Sequence, residues 1–206
     1  MSITVIILII TCAISLLLMN NNAGKQVLIF HPVTIKQQGH WHRFLTSGFI
    51  HADMVHLAIN MFVFWSFGSA IEKLYYPAVF GGSAVSYFLI LYLGGIVVSS
   101  IPSYIRHHND ARYAALGASG GVSAIVFAVI IFEPWQNLYL YGVVAIPQII
   151  AGVLYVAYSW YQDRRAADNI GHVAHLTGAI WGFVFTALME PRLFSRFIDL
   201  TLAGPK

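Results

Sequence analysis

The chain has 206 residues, of which 58% are hydrophobic and only 9% are charged, whereas about a quarter of the residues of a soluble protein are charged. This composition excludes an ordinary soluble domain and predicts an integral membrane protein. The formal net charge is +3 and the basic residues are scattered along the chain, so no nucleic-acid-binding face is expected. A single cysteine, Cys12, excludes a disulfide framework within the chain.

Six apolar segments predict the fold. A membrane-spanning helix needs about 20 predominantly apolar residues, and segments near that length recur at 3–19, 52–75, 78–100, 114–132, 138–160 and 170–189. The first segment lacks the basic residues that begin a signal peptide, so we interpret it as a membrane helix. The sequence therefore predicts an all-α membrane protein in which residues 1–206 form a single domain of six transmembrane helices.

The connections between these spans carry weaker signals. Between the first two spans, Trp41 and Arg43 lie beside aliphatic residues, a mixture that suits the headgroup region of a bilayer, although an ordinary loop in water is the alternative. Pro77 predicts a sharp turn between the second and third spans, and Pro147 predicts a kink inside the fifth. Asp168–Asn169 predicts the cap of the sixth helix, and the residues after it form a short tail.

The distribution of basic residues opposes one orientation of these spans. With the N-terminus in the cytoplasm, four Lys and Arg residues lie on the inner side and seven on the outer side. Cytoplasmic loops normally carry the excess of positive charge. Charge alone therefore favours an N-terminus outside the cytoplasm.

One serine stands among residues with almost no side chain, in the stretch Gly117-Ala118-Ser119-Gly120-Gly121 at the start of the fourth span. Glycine lets the backbone approach a ligand closely, and the first turn of a helix has unpaired N–H groups. These are the requirements of a site that stabilises an oxyanion. The alternative is a small-residue face, including Gly117 and Gly120, for close packing of membrane helices.

The second, fourth and sixth spans enter the membrane from the same side, because consecutive spans alternate in direction. Each has a polar residue four or five positions after its start: His56, Ser119 and His175. At 1.5 Å per helical residue, all three lie about 6–8 Å deep. Asn60 shares a helix face with His56 because the two are spaced i,i+4. A hydroxyl, two imidazoles and an amide can therefore meet at one depth.

These groups together predict a hydrolase. His175 would take the proton from Ser119, since an imidazole titrates near physiological pH and a serine hydroxyl alone is a poor nucleophile. His56, Asn60 and the backbone N–H of Ser119 would donate hydrogen bonds to the oxyanion. No carboxylate lies on these helix faces to complete a triad, so the predicted catalytic unit is a Ser–His dyad.

The same residues also have structural interpretations. His56 and Asn60 could form a hydrogen-bonded pair between helices, which is a common contact in membrane proteins. Gly178 and Gly182 share roughly the face of His175 and predict that the sixth helix packs closely on a neighbour. The glycines thus serve packing under either interpretation.

Other polar residues are expected to be structural. His172 lies i,i+3 from His175, but no third metal ligand is evident, so neither a metal site nor a cofactor is expected. His51 is either a loop residue or a helper near the water entrance, and the loop interpretation is preferred. Glu72 lies about 18 Å along the second span from Asn60, at the opposite face of the membrane, where pairing with a loop is favoured over chemistry.

Three motifs, in this order, resemble those of the rhomboid intramembrane serine proteases. They are His56-x-x-x-Asn60, Gly117-Ala118-Ser119-Gly120 and Ala174-His175-x-x-Gly178-x-x-x-Gly182. Trp41-His42-Arg43 also looks like the family's pattern, and the resemblance is firmest from 41 to 182. The order of the motifs and their helix placement make chance agreement improbable.

The resemblance implies a six-helix bundle with a Ser119–His175 dyad in a water-filled cavity, which cleaves transmembrane protein substrates near their helix ends. It also implies that the first loop lies in the outer leaflet, that the fifth helix is a lateral gate, and that Asp163 to Asn169 cap the cavity. Both termini would be cytoplasmic. We expect a multi-pass protein of the lipid bilayer, in a prokaryotic inner membrane.

One position departs from the family pattern. Some bacterial members carry a tyrosine four residues after the nucleophile, stacked on the catalytic imidazole, and this chain has Ser123 there. The ring of His175 must then be held by another group. Two other functions fit these residues less well. A non-catalytic rhomboid-like protein that binds transmembrane clients would usually lack the serine or the histidine. Haem ligation by His56 and His175 leaves Ser119 and Asn60 without a role.

Overall fold

The computed structural model describes residues 1–140, 143–165 and 171–205, which contain α-helices and one two-stranded sheet. The helices are α1 (Ile3–Leu18), α2 (Asn22–Leu28), α3 (Pro32–Gln38), α4 (Arg43–Thr46), α5 (Met54–Ala70), α6 (Tyr76–Phe80), α7 (Ala84–His107), α8 (Ser119–Phe132), α9 (Gln148–Arg165), α10 (His172–Met189) and α11 (Pro191–Ala203). The strands are β1 (Asn137–Leu140) and β2 (Val144–Pro147). The helix cap predicted at Asp168–Asn169 lies outside the described residues. Of the cavity cap predicted from Asp163 to Asn169, residues 163–165 lie in α9 and residues 166–169 lie outside the described residues.

The start of α1 is held by a carboxylate that follows α5. Glu72 accepts hydrogen bonds from the backbone N–H groups of Ile3 at 2.6 Å and Thr4 at 2.9 Å. A carboxylate at a helix N-terminus pairs with donors that lack a partner in the helix and with the positive end of the helix dipole. Glu72 therefore has a structural role, as predicted, but its partner is the start of α1 and not a loop.

The connection between α1 and α5 is folded into α2, α3, α4 and a 3-10 turn at Ser47–Phe49. Arg43 is buried and donates from Nη1 to the Ile29 carbonyl at 2.8 Å. Phe30 forms an antiparallel bridge with Ala115. The connection is thereby fixed against the segment that leads into α8.

The chain from α5 to α6 is helical without a break, through a π-helical stretch at Ile71–Tyr75. Its direction changes at Gly81, which has a φ of +53°, and Phe64 of α5 packs on Tyr92 of α7 with ring centroids 4.4 Å apart. Helices α5 and α7 are therefore antiparallel. The turn predicted at Pro77 is wrong, because the chain stays helical through Pro77. Gly81 supplies the left-handed backbone at the turn instead.

α8 lies at the centre of the core, with buried residues around most of its circumference. Glycines bring α10 against it: a Cβ atom at Gly178 would collide with the Gly120 carbonyl, and one at Gly182 with the Ala124 carbonyl. Small residues let helix backbones approach this closely. Gly120, Gly178 and Gly182 thus lie in direct backbone contact between α8 and α10.

The helix predicted from 138 to 160 is wrong in its first part. β1 and β2 pair antiparallel, with Asn137 opposite Pro147 and Leu140 opposite Val144, and α9 begins only at Gln148. Pro147 ends a strand and does not kink a helix. Proline has no N–H to donate and restricts the residue before it to extended conformations, so a helix begins after it more readily than it continues through it.

The residues predicted as a short tail form α11, which folds back on the bundle. Phe197 of α11 packs edge-on against Phe183 of α10 with ring centroids 5.2 Å apart. Trp135, which follows α8, donates from Nε1 to the Leu200 carbonyl at 2.9 Å. This amphipathic helix therefore covers one end of α8 and α10.

Two helical stretches among the described residues are long and apolar enough to cross a membrane, namely the run Met54–His107 and α10. The run Met54–His107 contains α5, α6 and α7 and folds back on itself at Gly81. α1 and α8 are apolar but shorter. The length and hydropathy of the individual helices therefore mark fewer spans than the six predicted from the sequence.

Candidate active site

Ser119 is the first residue of α8 and is half-buried. The turn before it is fixed by two backbone donors, since the Gly117 N–H donates to the Ser47 carbonyl at 2.9 Å and the Ala118 N–H to His51 Nε2 at 3.3 Å. Gly117 has a φ of +117°, a conformation that residues with a side chain rarely adopt. A glycine is therefore required for the turn that presents Ser119 at the helix start.

The imidazole of His56 lies against this turn. A Cβ atom at Gly117 would be 2.7 Å from Cε1 of His56 and 2.9 Å from Nε2, so the ring fills the space that a side chain would need. The backbone N–H of His56 donates to Asp53, the N-cap of α5, at 2.8 Å. The predicted role of Gly117 in helix packing needs correction, because it precedes α8 and packs on an imidazole.

Asn60 is buried one turn after His56 on α5. Its Nδ2 donates to the backbone carbonyl of His56 at 2.9 Å, which is a bond within one helix and not a pair between helices. A primary amide carries two N–H donors, and this bond uses one of them. The second N–H of Asn60 is the donor relevant to a ligand.

His51 lies in a loop, as predicted, but it is only 1% exposed and takes part in the site. The Ala118 N–H uses the lone pair of Nε2, so Nδ1 carries the proton and donates to Ser15 Oγ at 2.9 Å, which donates to the Phe49 carbonyl at 3.0 Å. Burial, with a contribution from neighbouring His56, lowers the pKa of His51 to about 4. Sequence reasoning missed this role because a residue before a helix has no periodicity to reveal burial.

His175 lies in the first turn of α10 and is half-buried. Gly178, which is three residues later and roughly on the same face, contacts the backbone of Gly120, the neighbour of Ser119. The face of α10 that carries His175 is therefore packed at the start of α8. His172 lies edge-on to His175, with ring centroids 5.9 Å apart.

The ring of His175 is stacked on Tyr155 of α9, with centroids 5.9 Å apart and 21° between the planes. The hydroxyl of Tyr155 is 2.6 Å from Oγ of Ser123 on α8. An aromatic ring thus reaches the imidazole from α9, while the position four residues after Ser119 holds the small partner of that ring. Sequence reasoning missed Tyr155 because no spacing rule connects residues on different helices.

Among the residues that the structure describes, no three His, Cys, Asp or Glu side chains are close enough to hold a metal ion. The expectation of a site without metal or cofactor stays a prediction. The groups that the fold brings near the start of α8 are a hydroxyl, imidazoles and N–H donors, which suit acyl transfer.

The amino-acid sequence matches one family model and several known proteins. A family model described as "Rhomboid domain" matches residues 38–192. RHOMBOID-like protein 12, mitochondrial, of Arabidopsis thaliana is 29% identical over 159 residues, covering 69% of this chain and 45% of its own length. Presenilin-associated rhomboid-like protein, mitochondrial, of Homo sapiens is 30% identical over 148 residues, covering 67% and 35%.

A bacterial protein is similar to about the same extent. Rhomboid protease GluP of Bacillus subtilis is 28% identical over 152 residues, covering 74% of this chain and 27% of its own length. The chain spans less than half the length of each of these three relatives.

Proposed function

The chain belongs to the rhomboid family, and on this premise we propose that it is an intramembrane serine protease that hydrolyses peptide bonds of transmembrane proteins. The observation that carries the proposal is the start of α8. Ser119 begins that helix on a turn held against the imidazole of His56, and α10 packs through Gly178 on the adjacent Gly120. A relative at 28% identity is named a rhomboid protease.

In the proposed mechanism, Ser119 Oγ attacks the peptide carbonyl while His175 accepts the serine proton. The resulting imidazolium protonates the leaving amine, and a water molecule then hydrolyses the acyl-enzyme by the same route. The oxyanion accepts hydrogen bonds from the Ser119 N–H, from His56 and from the second N–H of Asn60. Each such donor is worth about 2.7–4 kcal/mol of the barrier.

The length of α8 supports a nucleophile below the membrane surface. Its 14 residues extend about 21 Å, whereas the hydrocarbon core of a bilayer is about 30 Å thick. If Glu133, just after the helix, lies at one surface, Ser119 lies about 9 Å below the other. Water then enters from that surface, into a cavity of the proposed six-helix bundle formed by α1, α5, α7, α8, α9 and α10.

The proposed substrates are transmembrane helices that reach the dyad from the bilayer. The side chains of Val153 and Leu154 on α9 are exposed and apolar, which suits the proposed lateral gate. The folded connection before α5 would lie in the outer leaflet, and both termini would be cytoplasmic.

The similar proteins do not identify which cellular membrane holds this protein. The family is membrane-embedded, but the prediction of a prokaryotic inner membrane is not borne out, because two of the three relatives described above are mitochondrial. A protein that only binds transmembrane clients remains the alternative function, and the presence of both Ser119 and His175 argues against it.

The proposal is tested with a fluorophosphonate probe and a transmembrane reporter substrate. We expect wild type to be labelled and to cleave, and Ser119→Ala and His175→Ala to lose both activities. Ser66→Ala and His108→Ala are matched controls, since Ser66 bonds a carbonyl of its own helix and His108, just after α7, bonds the carbonyl of Ile105. Labelling of Ser119→Ala, or wild type that neither labels nor cleaves, would contradict the proposal and favour client binding.

A further inference from the structure

Tyr155 joins two helices at the candidate site. Its ring stacks on His175 of α10, and its hydroxyl bonds Ser123 of α8. Phe127, one turn after Ser123 on α8, also contacts this ring, with centroids 6.1 Å apart. The tyrosine is thus held by α8 on one side and covers the imidazole on the other.

The stacked ring of Tyr155 restricts the plane of the His175 ring. A general base must point one nitrogen at the hydroxyl that it deprotonates, and a ring nearly parallel to the imidazole limits rotation about its terminal side-chain torsion, which is otherwise broad. Ser123 is buried and its Oγ is 2.6 Å from the Tyr155 hydroxyl. A larger side chain at position 123 would occupy the place of that hydroxyl.

We infer that Tyr155 is a positioning residue for His175, and that its bond to Ser123 makes the orientation of the base depend on the packing of α9 against α8. This inference rests on the proposed function, since it assigns His175 as the base. When α9 moves away from α8, the Ser123–Tyr155 bond breaks and the imidazole loses its stacking partner. The base is then correctly oriented only while α9 is packed.

Steady-state kinetics on the transmembrane reporter tests the role of Tyr155. Tyr155→Ala should lower kcat about ten- to one-hundredfold, because small displacements of a catalytic group are costly, with KM nearly unchanged. Tyr155→Phe retains the stacked ring, so it should restore most of the activity and lose about two- to tenfold through the missing hydrogen bond. Tyr139→Ala, which alters an exposed tyrosine of β1, is the control and should match wild type.

The bond to Ser123 predicts a non-additive pair. Ser123→Ala and Tyr155→Phe remove the same hydrogen bond, so the double variant should be no slower than either single variant. Additive losses would overturn the pairing. The positioning role would be overturned if wild type and Tyr155→Ala were equally active. It would also be overturned if Tyr155→Ala changed KM alone.

A second measurement does not require turnover. In Ser119→Ala protein, carbethoxylation of His175 by diethyl pyrocarbonate is followed by mass spectrometry. Removal of Tyr155 uncovers one ring face and should raise the modification rate about twofold, while Tyr139→Ala leaves it unchanged. An unchanged rate with Tyr155→Ala in an active protein overturns the inference alone. Inactive wild type with the expected rate change instead overturns the proposed function, while the contact between Tyr155 and His175 stands.

Discussion

The contact of α8 with α10 and the contact of α8 with α9 are built from different atoms. Between α8 and α10, backbone lies on backbone, with Gly178 against Gly120. Between α8 and α9, side chains meet, and Tyr155 bonds Ser123 at 2.6 Å. Packed backbones cannot move apart without losing their contact, whereas side chains can change rotamers. The first contact therefore sets a fixed spacing, and the second can adapt.

This difference separates two requirements of the proposed chemistry. The spacing of Ser119 and His175 is set by the helices in backbone contact. The orientation of His175 depends on Tyr155, which belongs to the helix on the adaptable contact. A gate on α9 could then move without disturbing the spacing of the dyad.

The largest effect is expected for Gly178→Ala, which breaks the fixed contact. The new Cβ would collide with the Gly120 carbonyl, so the helices must separate at a cost of about 3 kcal/mol. Thermal unfolding of the purified protein measures the loss. Gly152→Ala on α9 is the matched control, because its Cβ would meet the flexible end of Ile130 at 2.8 Å. Equal destabilisation of both variants would contradict the comparison.

The turn before Ser119, which His51 holds at the start of α8, predicts a pH dependence of stability. His51 has a pKa of about 4 when folded, against about 6.5 when unfolded, so the unfolded state binds the proton first as the pH falls. The contribution of His51 to the free energy of unfolding is fully present above pH 6.5. The free energy of unfolding should be about 2 kcal/mol lower at pH 5. Denaturation of wild type and His51→Asn at both pH values tests this. An equal pH effect in the two proteins would exclude His51 as its source.

A smaller effect on stability is expected at the adaptable contact between α8 and α9. Phe127→Leu removes a ring contact with Tyr155 worth about 1 kcal/mol, which should raise the hydrogen-exchange rate of α9 about fivefold. The amides of α10 serve as the internal reference and should not change. Equal acceleration in both helices would show that α9 has no separate motion.

The smallest effect is expected for Arg106→Gln. Arg106 Nη1 lies 3.1 Å from Oδ1 of Asp163 at the end of α9, and the arginine side chain is 53% exposed. An exposed ion pair contributes at most about 1 kcal/mol and is screened by salt. The difference between variant and wild type in α9 exchange should vanish in high salt. A larger effect than that of Phe127→Leu would mean that the ion pair controls α9.

Sequence reasoning located much of the candidate site because helices make some relationships local. His56 and Asn60 share a face through their spacing, and the glycines around Ser119 mark a close backbone approach. The same reasoning failed at Tyr155, whose partners lie on α8 and α10. It also failed for the segment from 138 to 147, because an apolar run can form a strand or a helix and its own periodicity does not decide between them.

The sequence by itself determined the membrane character of the chain, its family, and the residues that could carry chemistry, because composition and motif order need no partner. Only the tertiary structure decided that His51 holds the turn before Ser119 and that Tyr155 covers His175. These contacts join residues far apart in the chain, and whether two distant side chains meet depends on how all the helices pack together.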